Sequence, residues 1–365
     1  MIIPRLHVNI GIDNRGTLAD RLQRFEKYID LCIRKRVDII CDMSIDFISS
    51  KQRNDLLKKS EIPFCKVPIY DYYLRYGKNF NYQIDKDAFL DLLEEEVSIS
   101  PSFILLHSAF TRQIYNELLS SKRILKMCSR AGGITFKHFS KSNSENPLYE
   151  YFDRILDIVS KKNVTVFLGS STRPGSICDG FDNIFKKEMV VQKELLDLAR
   201  KKNVGIIIEG VGHCRISELL LWIDYARRLF GNAPLKPLPI ATDIGAGIDH
   251  IAHAIAAYEC IKKDVEYICC MSPAEHLGMP TLTDIEIAID TMRLIIHIVA
   301  IDRDKSASSL DSQISHARSN NVWEEVFENS LNPVLARKKF FELNDKSALS
   351  CTMCGDLCPK LLTGT

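Results

Sequence analysis

The sequence predicts a (β/α)8 barrel followed by a C-terminal helical segment and a cysteine-bearing tail. Three observations carry this. Short apolar, β-branched runs recur along the chain with helix-period stretches between them. The runs are continuously apolar, without polar alternation, as strands of a parallel sheet covered on both faces must be. Their number favours a closed barrel over an open doubly wound sheet. The chain has 365 residues and is 46% hydrophobic, enough for one barrel-sized core and a tail.

The candidate strands, in order, are Leu6–Ile10, Val37–Cys41, Ile62–Val67, Phe103–Leu106, Ile134–Phe136, Val164–Leu168, Val204–Ile208, Leu238–Ala241 and Tyr267–Cys270. Helical patterns at Leu18–Arg34, Arg112–Met127, Tyr149–Lys161, Lys186–Lys201 and Ile216–Leu229 separate most of them. Nine candidates exceed the eight that a barrel holds, so one run belongs elsewhere. Thr283 and Glu286 read as a capping box that opens a long apolar helix to about Ile301. Asp304–Ser309, small and polar, reads as a linker. The expected division is a catalytic barrel over 1–303, a helical segment over 304–345 and a cysteine tail over 346–365.

Charge and composition narrow the function. Lys and Arg number 48 against 47 Asp and Glu, and no basic block stands out. A nucleic-acid or anionic-membrane partner is therefore not expected. Met1–Arg5 lacks a signal-peptide pattern. The most apolar stretch, Leu294–Ala300, contains His297 and follows Asp290 and Arg293, which predicts a buried helix and not a membrane span. The expected location is cytoplasmic. Twelve cysteines then imply metal or redox use for some. Cys32, Cys41, Cys65, Cys128, Cys178 and Cys260 lie in or beside apolar segments and read as core filler.

In a barrel, residues that close the strands share one mouth. Here these are Asn9, Asp42, Met43, Tyr70, His107, Arg173, Glu209, His213, Asp243 and the stretch Cys269 to His276. Converging acids, imidazoles and an arginine suit a polar substrate. Glu209-Gly-Val-Gly-His213 and Ser272-Pro-Ala-Glu-His276 each present an imidazole after a glycine- or proline-shaped turn, a fit for zinc or ferrous iron. Ser129-Arg-Ala-Gly-Gly133 and Thr172-Arg-Pro-Gly-Ser176 combine hydroxyl, guanidinium and exposed N–H groups, which suits a phosphate monoester. Near the C-terminus, Cys351, Cys354 and Cys358 follow C-x2-C-x3-C. Three thiolates can hold three irons of a 4Fe-4S cluster and leave the fourth open; a zinc site completed from elsewhere is the other reading.

Six motifs occur in a fixed order: Ser-Arg-x-Gly, Leu-Gly-x-x-x-Arg-Pro-Gly-Ser, Glu-Gly-x-Gly-His, Thr-Asp-Ile-x-x-Gly-x-Asp-His, Pro-x-Glu-His-Leu-Gly-x-Pro and Cys-x-Met-Cys-Gly. Together they resemble the phosphomethylpyrimidine synthase (ThiC) family of radical S-adenosylmethionine enzymes, from about Asn9 to Cys358. The resemblance implies that His213 and His276 bind zinc or iron, and that Cys351, Cys354 and Cys358 hold the cluster with adenosylmethionine on its open iron. It implies substrate contacts from Asn9, Met43, Tyr70, His107, Ser129, Arg130, Arg173 and Glu209, with Cys269 beside the metal site and, like Glu209, in a catalytic role. The implied reaction is a lyase-type rearrangement of 5-aminoimidazole ribonucleotide to a hydroxymethylpyrimidine phosphate, on the route to thiamine, through a 5′-deoxyadenosyl radical. A homodimer and a reduced flavodoxin or ferredoxin-type electron donor come with it.

Several positions depart from the family. Its Asp-Gly-Leu before the arginine is Ser170-Ser171-Thr172, its Pro is Val211, and Cys214-Arg215 follows the metal histidine. A family tyrosine corresponds to Leu235 or Lys236, the cysteine motif is one residue shorter, and the extra N-terminal region of many members is not expected. Losing a carboxylate from the pocket and placing Arg215 nearby should change the preferred substrate. The sister reaction, 5-hydroxybenzimidazole synthesis from the same ribonucleotide for cobamide assembly, therefore stands as the alternative. A non-catalytic iron-sulfur sensor, or a barrel hydrolase using His213, His276 and Asp243, stands further off.

Overall fold

In this computed structural model, residues 2–344 and 351–363 are described; positions 346–350 and 364–365 of the expected cysteine tail lie outside them. Contacts divide the chain into two compact units, one from Ile2 to Ile289 and one from Asp290 onward.

The first unit is a (β/α)8 barrel. In chain order it runs β1 Arg5–Ile10, α1 Leu18–Arg34, β2 Ile39–Asp42, α2 Ser50–Lys59, β3 Phe64–Lys66, α3 Pro68–Tyr76, α4 Lys86–Ser98 and β4 Phe103–Leu106. It continues with α5 Arg112–Ser120, α6 Arg130–Lys141, α7 Pro147–Glu150, α8 Phe152–Ser160, β5 Thr165–Leu168 and α9 Asn183–Lys201. It ends with β6 Ile206–His213, α10 Ile216–Phe230, β7 Leu235–Ile240, α11 Asp249–Lys262, β8 Tyr267–Cys269 and the start of α12, Leu282–Ile301. All the strand pairs are parallel, in the order β7-β6-β5-β4-β3-β2-β1-β8. The strands are buried nearly throughout, which accounts for their unbroken apolar character.

The sheet's two ends, β7 and β8, meet without a backbone ladder, and the sequence of β7 explains why. Ile208 N–H bonds Pro234 O and Cys214 N–H bonds Ile240 O, so the even-numbered residues of β7 face β6. Pro237 and Pro239 then occupy the positions whose N–H groups would face β8, and proline has none to give. Side chains bridge the seam instead. Leu235 N–H donates to Glu266 Oε2 at 2.9 Å. The buried His253 ring lies between Pro239 O (2.8 Å) and Cys269 O (2.7 Å), touching both strands.

Several expectations need correcting. Ile134–Phe136 is the surplus strand: it lies inside α6, because Ser129 caps that helix and Ala131, Thr135, His138 and Phe139 make one buried face. The helix from Arg112 stops at Ser120, and the Tyr149–Lys161 pattern splits at Tyr151 into α7 and α8. The capping box of α12 is formed by Thr281 and Asp284, two residues before the expected pair. Cys128 and Cys178 are exposed, whereas Cys32, Cys41, Cys65 and Cys260 are buried as expected.

The second unit holds the rest of α12, then α13 Lys305–Ser319, α14 Trp323–Asn329, α15 Pro333–Leu343, a 3-10 turn at Gly355–Leu357 and α16 Pro359–Thr363. Asp304 caps α13, so the expected linker is helical from Lys305. Trp323 and Phe340 pack with ring centroids 4.6 Å apart beside the buried Phe327. Lys360 ties α16 to this group through Arg318 O and Asn321 Oδ1, both at 2.6 Å. Among the described residues no helix is long and apolar enough to cross a membrane.

Candidate functional site

The carboxyl ends of the strands open on a cavity of about 520 Å³, lined in part by Asn9, Met43, Arg130 and His276. Asn9 projects from β1 and Met43 follows β2. Arg130 is the first residue of α6, where Ser129 Oγ accepts the Gly132 N–H at 3.1 Å, so this serine's hydroxyl serves as the helix cap. Arg130 donates to Met43 O at 2.9 Å and lies 4.9 Å over the Tyr70 ring. Burial raises the Tyr70 hydroxyl to about 12, so it stays protonated.

Deeper in the barrel, Glu209 on β6 is fully buried between two cations. Lys236 Nζ on β7 reaches its Oε2 at 3.0 Å, and Arg173 Nη1 its Oε1 at 3.3 Å. Burial opposes ionisation, but Lys236 and Arg173 outweigh it and hold the carboxyl below its usual range. His107, just past β4, is neutral: burial lowers it to about 3. Neither of its ring nitrogens has a partner among the described residues. Gly169 makes room for this ring, since a Cβ there would lie 2.6 Å from it. Cys269, at the end of β8, is buried and pushed up to about 12 by desolvation, with Lys236, Glu275 and Glu209 as the nearest charges.

The Ser170-Ser171-Thr172 turn shows what the departure from the family does. Its groups converge on Glu188 of α9, a fully buried carboxylate. Thr172 N–H and Oγ1 each donate at 2.7 Å and Ser170 Oγ at 2.9 Å, and Ser171 N–H supplies a further bond. Ser170 O in turn accepts from Arg173 Nη1 at 2.8 Å. A carboxylate thus stays in this part of the wall, with its oxygens turned to the backbone. Arg215 bears on the pocket less than expected: it is exposed and pairs with Glu218 in the first turn of α10.

His213 ends β6, after Gly212 at φ +114°, where a Cβ would meet Pro174 O at 2.5 Å. Its Nδ1 lies 2.6 Å from Asp243 Oδ1, and His276 Nδ1 lies 3.1 Å from Asp249 Oδ1. Carboxylates on both Nδ1 atoms favour the tautomer protonated there, which turns the two Nε2 atoms, 3.2 Å apart, into the available metal donors. Burial lowers the His213 pKa, His276 lowers it further, and Asp243 pulls the other way. Asp243 is an orienting group here, also held by Ser176 Oγ and Ile177 N–H.

Cys351, Cys354 and Cys358 lie on one tight turn. Leu357 N–H bonds Cys354 O at 3.0 Å, Cys358 N–H bonds Gly355 O at 3.2 Å, and Gly355 has φ +51°. All three thiols are free. Among the described residues no three His, Cys, Asp or Glu side chains gather as a ready-made metal cage. The turn contributes a suitable donor set: three unpaired thiols on a short, glycine-kinked loop.

Behind the mouth, Asp42 does not face the cavity. It anchors a buried cluster with Lys66 (3.0 Å) and Arg53 (3.1 Å), beside Asp71 and Glu96. Three side chains that organise this region escaped the sequence reading in their contacts: Lys236 with Glu209, Glu188 with the Ser170–Thr172 turn, and Asp249 with His276. Lys236 interrupts an apolar strand, the one signal that could have marked it. Glu188 sits in an ordinary helical pattern and carries no such mark, whereas Asp249 is the second aspartate of the Thr-Asp-Ile-x-x-Gly-x-Asp-His motif.

The sequence matches the radical SAM ThiC family over residues 3–364. It is 33% identical over 361 residues to the phosphomethylpyrimidine synthase of Carboxydothermus hydrogenoformans, covering 97% of this chain and 83% of that one. It is 32% identical over 360 residues to the enzyme of the same name from Pelotomaculum thermopropionicum, covering 97% and 82%. With the one from Clostridium tetani it shares 34% over 361 residues, covering 97% and 77%. The barrel, the residues around its mouth and these matches agree: the chain belongs to the radical SAM ThiC family.

Proposed function

We propose that the chain is an enzyme of the phosphomethylpyrimidine synthase type, a lyase that rearranges 5-aminoimidazole ribonucleotide to a hydroxymethylpyrimidine phosphate for thiamine synthesis. The observation that carries this is the pairing of a cationic rim with an ionised floor. Arg130, at the capped N-terminus of the 12-residue α6, suits a phosphate monoester. Glu209, kept charged by Lys236 and Arg173, suits the hydroxyls of a ribose. His107 offers unspent ring nitrogens between them.

Membership of the family implies a 4Fe-4S cluster and S-adenosylmethionine. Cys351, Cys354 and Cys358 would hold the cluster, which when bound supplies the single electron that cleaves adenosylmethionine and starts radical chemistry on the ribose. The chain's own residues do the rest: Arg130 and Glu209 orient the ribonucleotide, Tyr70 stays a neutral donor, and the barrel wall excludes water. A homodimer, a flavodoxin or ferredoxin-type donor and a reducing cytoplasmic setting accompany this reading.

His213 and His276 would bind one zinc or iron ion, since their Nε2 atoms lie 3.2 Å apart and each ring has a carboxylate on its Nδ1. Asp243→Asn is then expected to weaken metal binding about 10- to 100-fold by loosening the His213 ring. Competition with a chromophoric chelator reads this; unchanged affinity would count against the site.

The reading is tested by anaerobic single turnover of the reconstituted protein with reductant, adenosylmethionine and 5-aminoimidazole ribonucleotide, analysed by mass spectrometry. A hydroxymethylpyrimidine phosphate with 5′-deoxyadenosine supports it. A hydroxybenzimidazole would replace it with the sister reaction, and no 5′-deoxyadenosine would sink both.

A further inference from the structure

The barrel interior below the mouth is unusually polar. A packed barrel normally fills that space with branched apolar side chains, yet here Lys236 reaches into it from β7 with its side chain 2% exposed. Its ammonium has three donors. One goes to Glu209 Oε2 at 3.0 Å, and its face lies 4.7 Å over the Phe167 ring. Among the described residues no other acceptor engages it. Around it are His107 and His7, both fully buried, and none of their four ring nitrogens has a protein partner. His7 stacks on Phe167 at 5.2 Å. Buried donors and acceptors left this way call for partners from outside the protein, ordered water or a bound molecule.

The charge inventory says what that molecule presents. Glu209 has one cation on each oxygen, with His107 neutral and Glu188 also acting on Arg173, so the charges here nearly balance. The Glu188 carboxylate adds no acceptor to the floor, because four donors from the Ser170–Thr172 turn occupy it. The floor therefore offers donors in excess.

Resting on the reading above, we infer that Lys236 is a specificity-determining residue: it pins Glu209 as a charged acceptor and donates its remaining N–H groups to acceptor atoms at the non-phosphate end of the bound ribonucleotide. The groups that act on Glu209 are Lys236, Arg173 and His107, with Tyr70 and Cys269 also within its field. Of these Lys236 is the nearest cation, so its loss should raise the Glu209 pKa and with it the pH at which binding fails.

The test is calorimetric titration of the full chain with 5-aminoimidazole ribonucleotide at pH 6, 7 and 8, for wild type, Lys236→Met and Lys236→Arg, with thermal melts as a folding control. Lys236→Met is expected to bind about tenfold more weakly at pH 7, with the deficit growing toward pH 6, while Lys236→Arg binds nearly as wild type. A deficit equal at pH 6 and pH 8, or none, overturns the inference, since a merely structural lysine would not shift the pH dependence. If the wild type binds no ribonucleotide, the functional reading fails instead. Lys236 is then judged by infrared titration of Glu209, with Glu209→Gln identifying the band: the midpoint rises in Lys236→Met, and an unmoved midpoint rejects the role.

Discussion

Replacing Asp42 by alanine is expected to destabilise the barrel by about 3–5 kcal/mol, the usual cost of leaving a buried charge uncompensated. Asp42 Oδ2 receives both Lys66 Nζ at 3.0 Å and Arg53 Nε at 3.1 Å, and each of these side chains is no more than 2% exposed. The remaining members are Asp71 and Glu96. Burial raises Glu96 to about 8, with Lys66 opposing and Asp71 reinforcing the shift, so near neutrality two cations face two anions and one neutral acid. A carboxyl raised above its unfolded value of 4.5 adds stability below that value, and the contribution is lost as pH climbs through about 8. Without Asp42, Lys66 and Arg53 would draw Glu96 into its ionised form and remove that loss. The deficit of Asp42→Ala should therefore shrink from pH 6 to pH 8. Urea unfolding at the two pH values reads it, and a cost below about 1 kcal/mol, or one that grows with pH, would refute the account.

Glu188→Ala is expected to cost about 3 kcal/mol and to weaken ribonucleotide binding tenfold or more. The substitution strands the buried N–H groups of Ser171 and Thr172, at roughly 1–3 kcal/mol each. The Ser170 carbonyl then drifts from Arg173, which loses its bond at 2.8 Å. Glu188→Gln should do nearly as badly, because its amide N–H2 group would face a donor where a carboxylate oxygen now accepts. Melting curves together with ribonucleotide titration decide it. A Gln variant that binds as wild type would show that shape, and not the acceptor set, holds the turn.

The strand-end placement of the candidate residues was legible because a barrel delivers the carboxyl end of every strand to one mouth. Knowing only where Asn9, Met43, His107, Glu209 and His213 fall relative to their strands places them together, and the ordered motifs say what they resemble. What failed was local. Ile134–Phe136 has a strand's composition but follows the Ser129 cap, and the buried helical face of α6 overrides β-propensity. Arg215 closely follows His213 in sequence but lies at a helix start, where Glu218 and solvent claim it.

The sequence alone therefore determined the barrel, since periodicity specifies which side chains go inward. The tertiary structure alone decided which of them meet. That Lys236 and Glu209 are register partners on β7 and β6, that Glu188 gathers a turn sixteen to eighteen residues before it, and that two prolines leave a seam for His253 to bridge are facts about pairs. Such pairings are set by strand stagger and helix packing across the fold, which a pattern of apolar and polar residues along one chain does not encode.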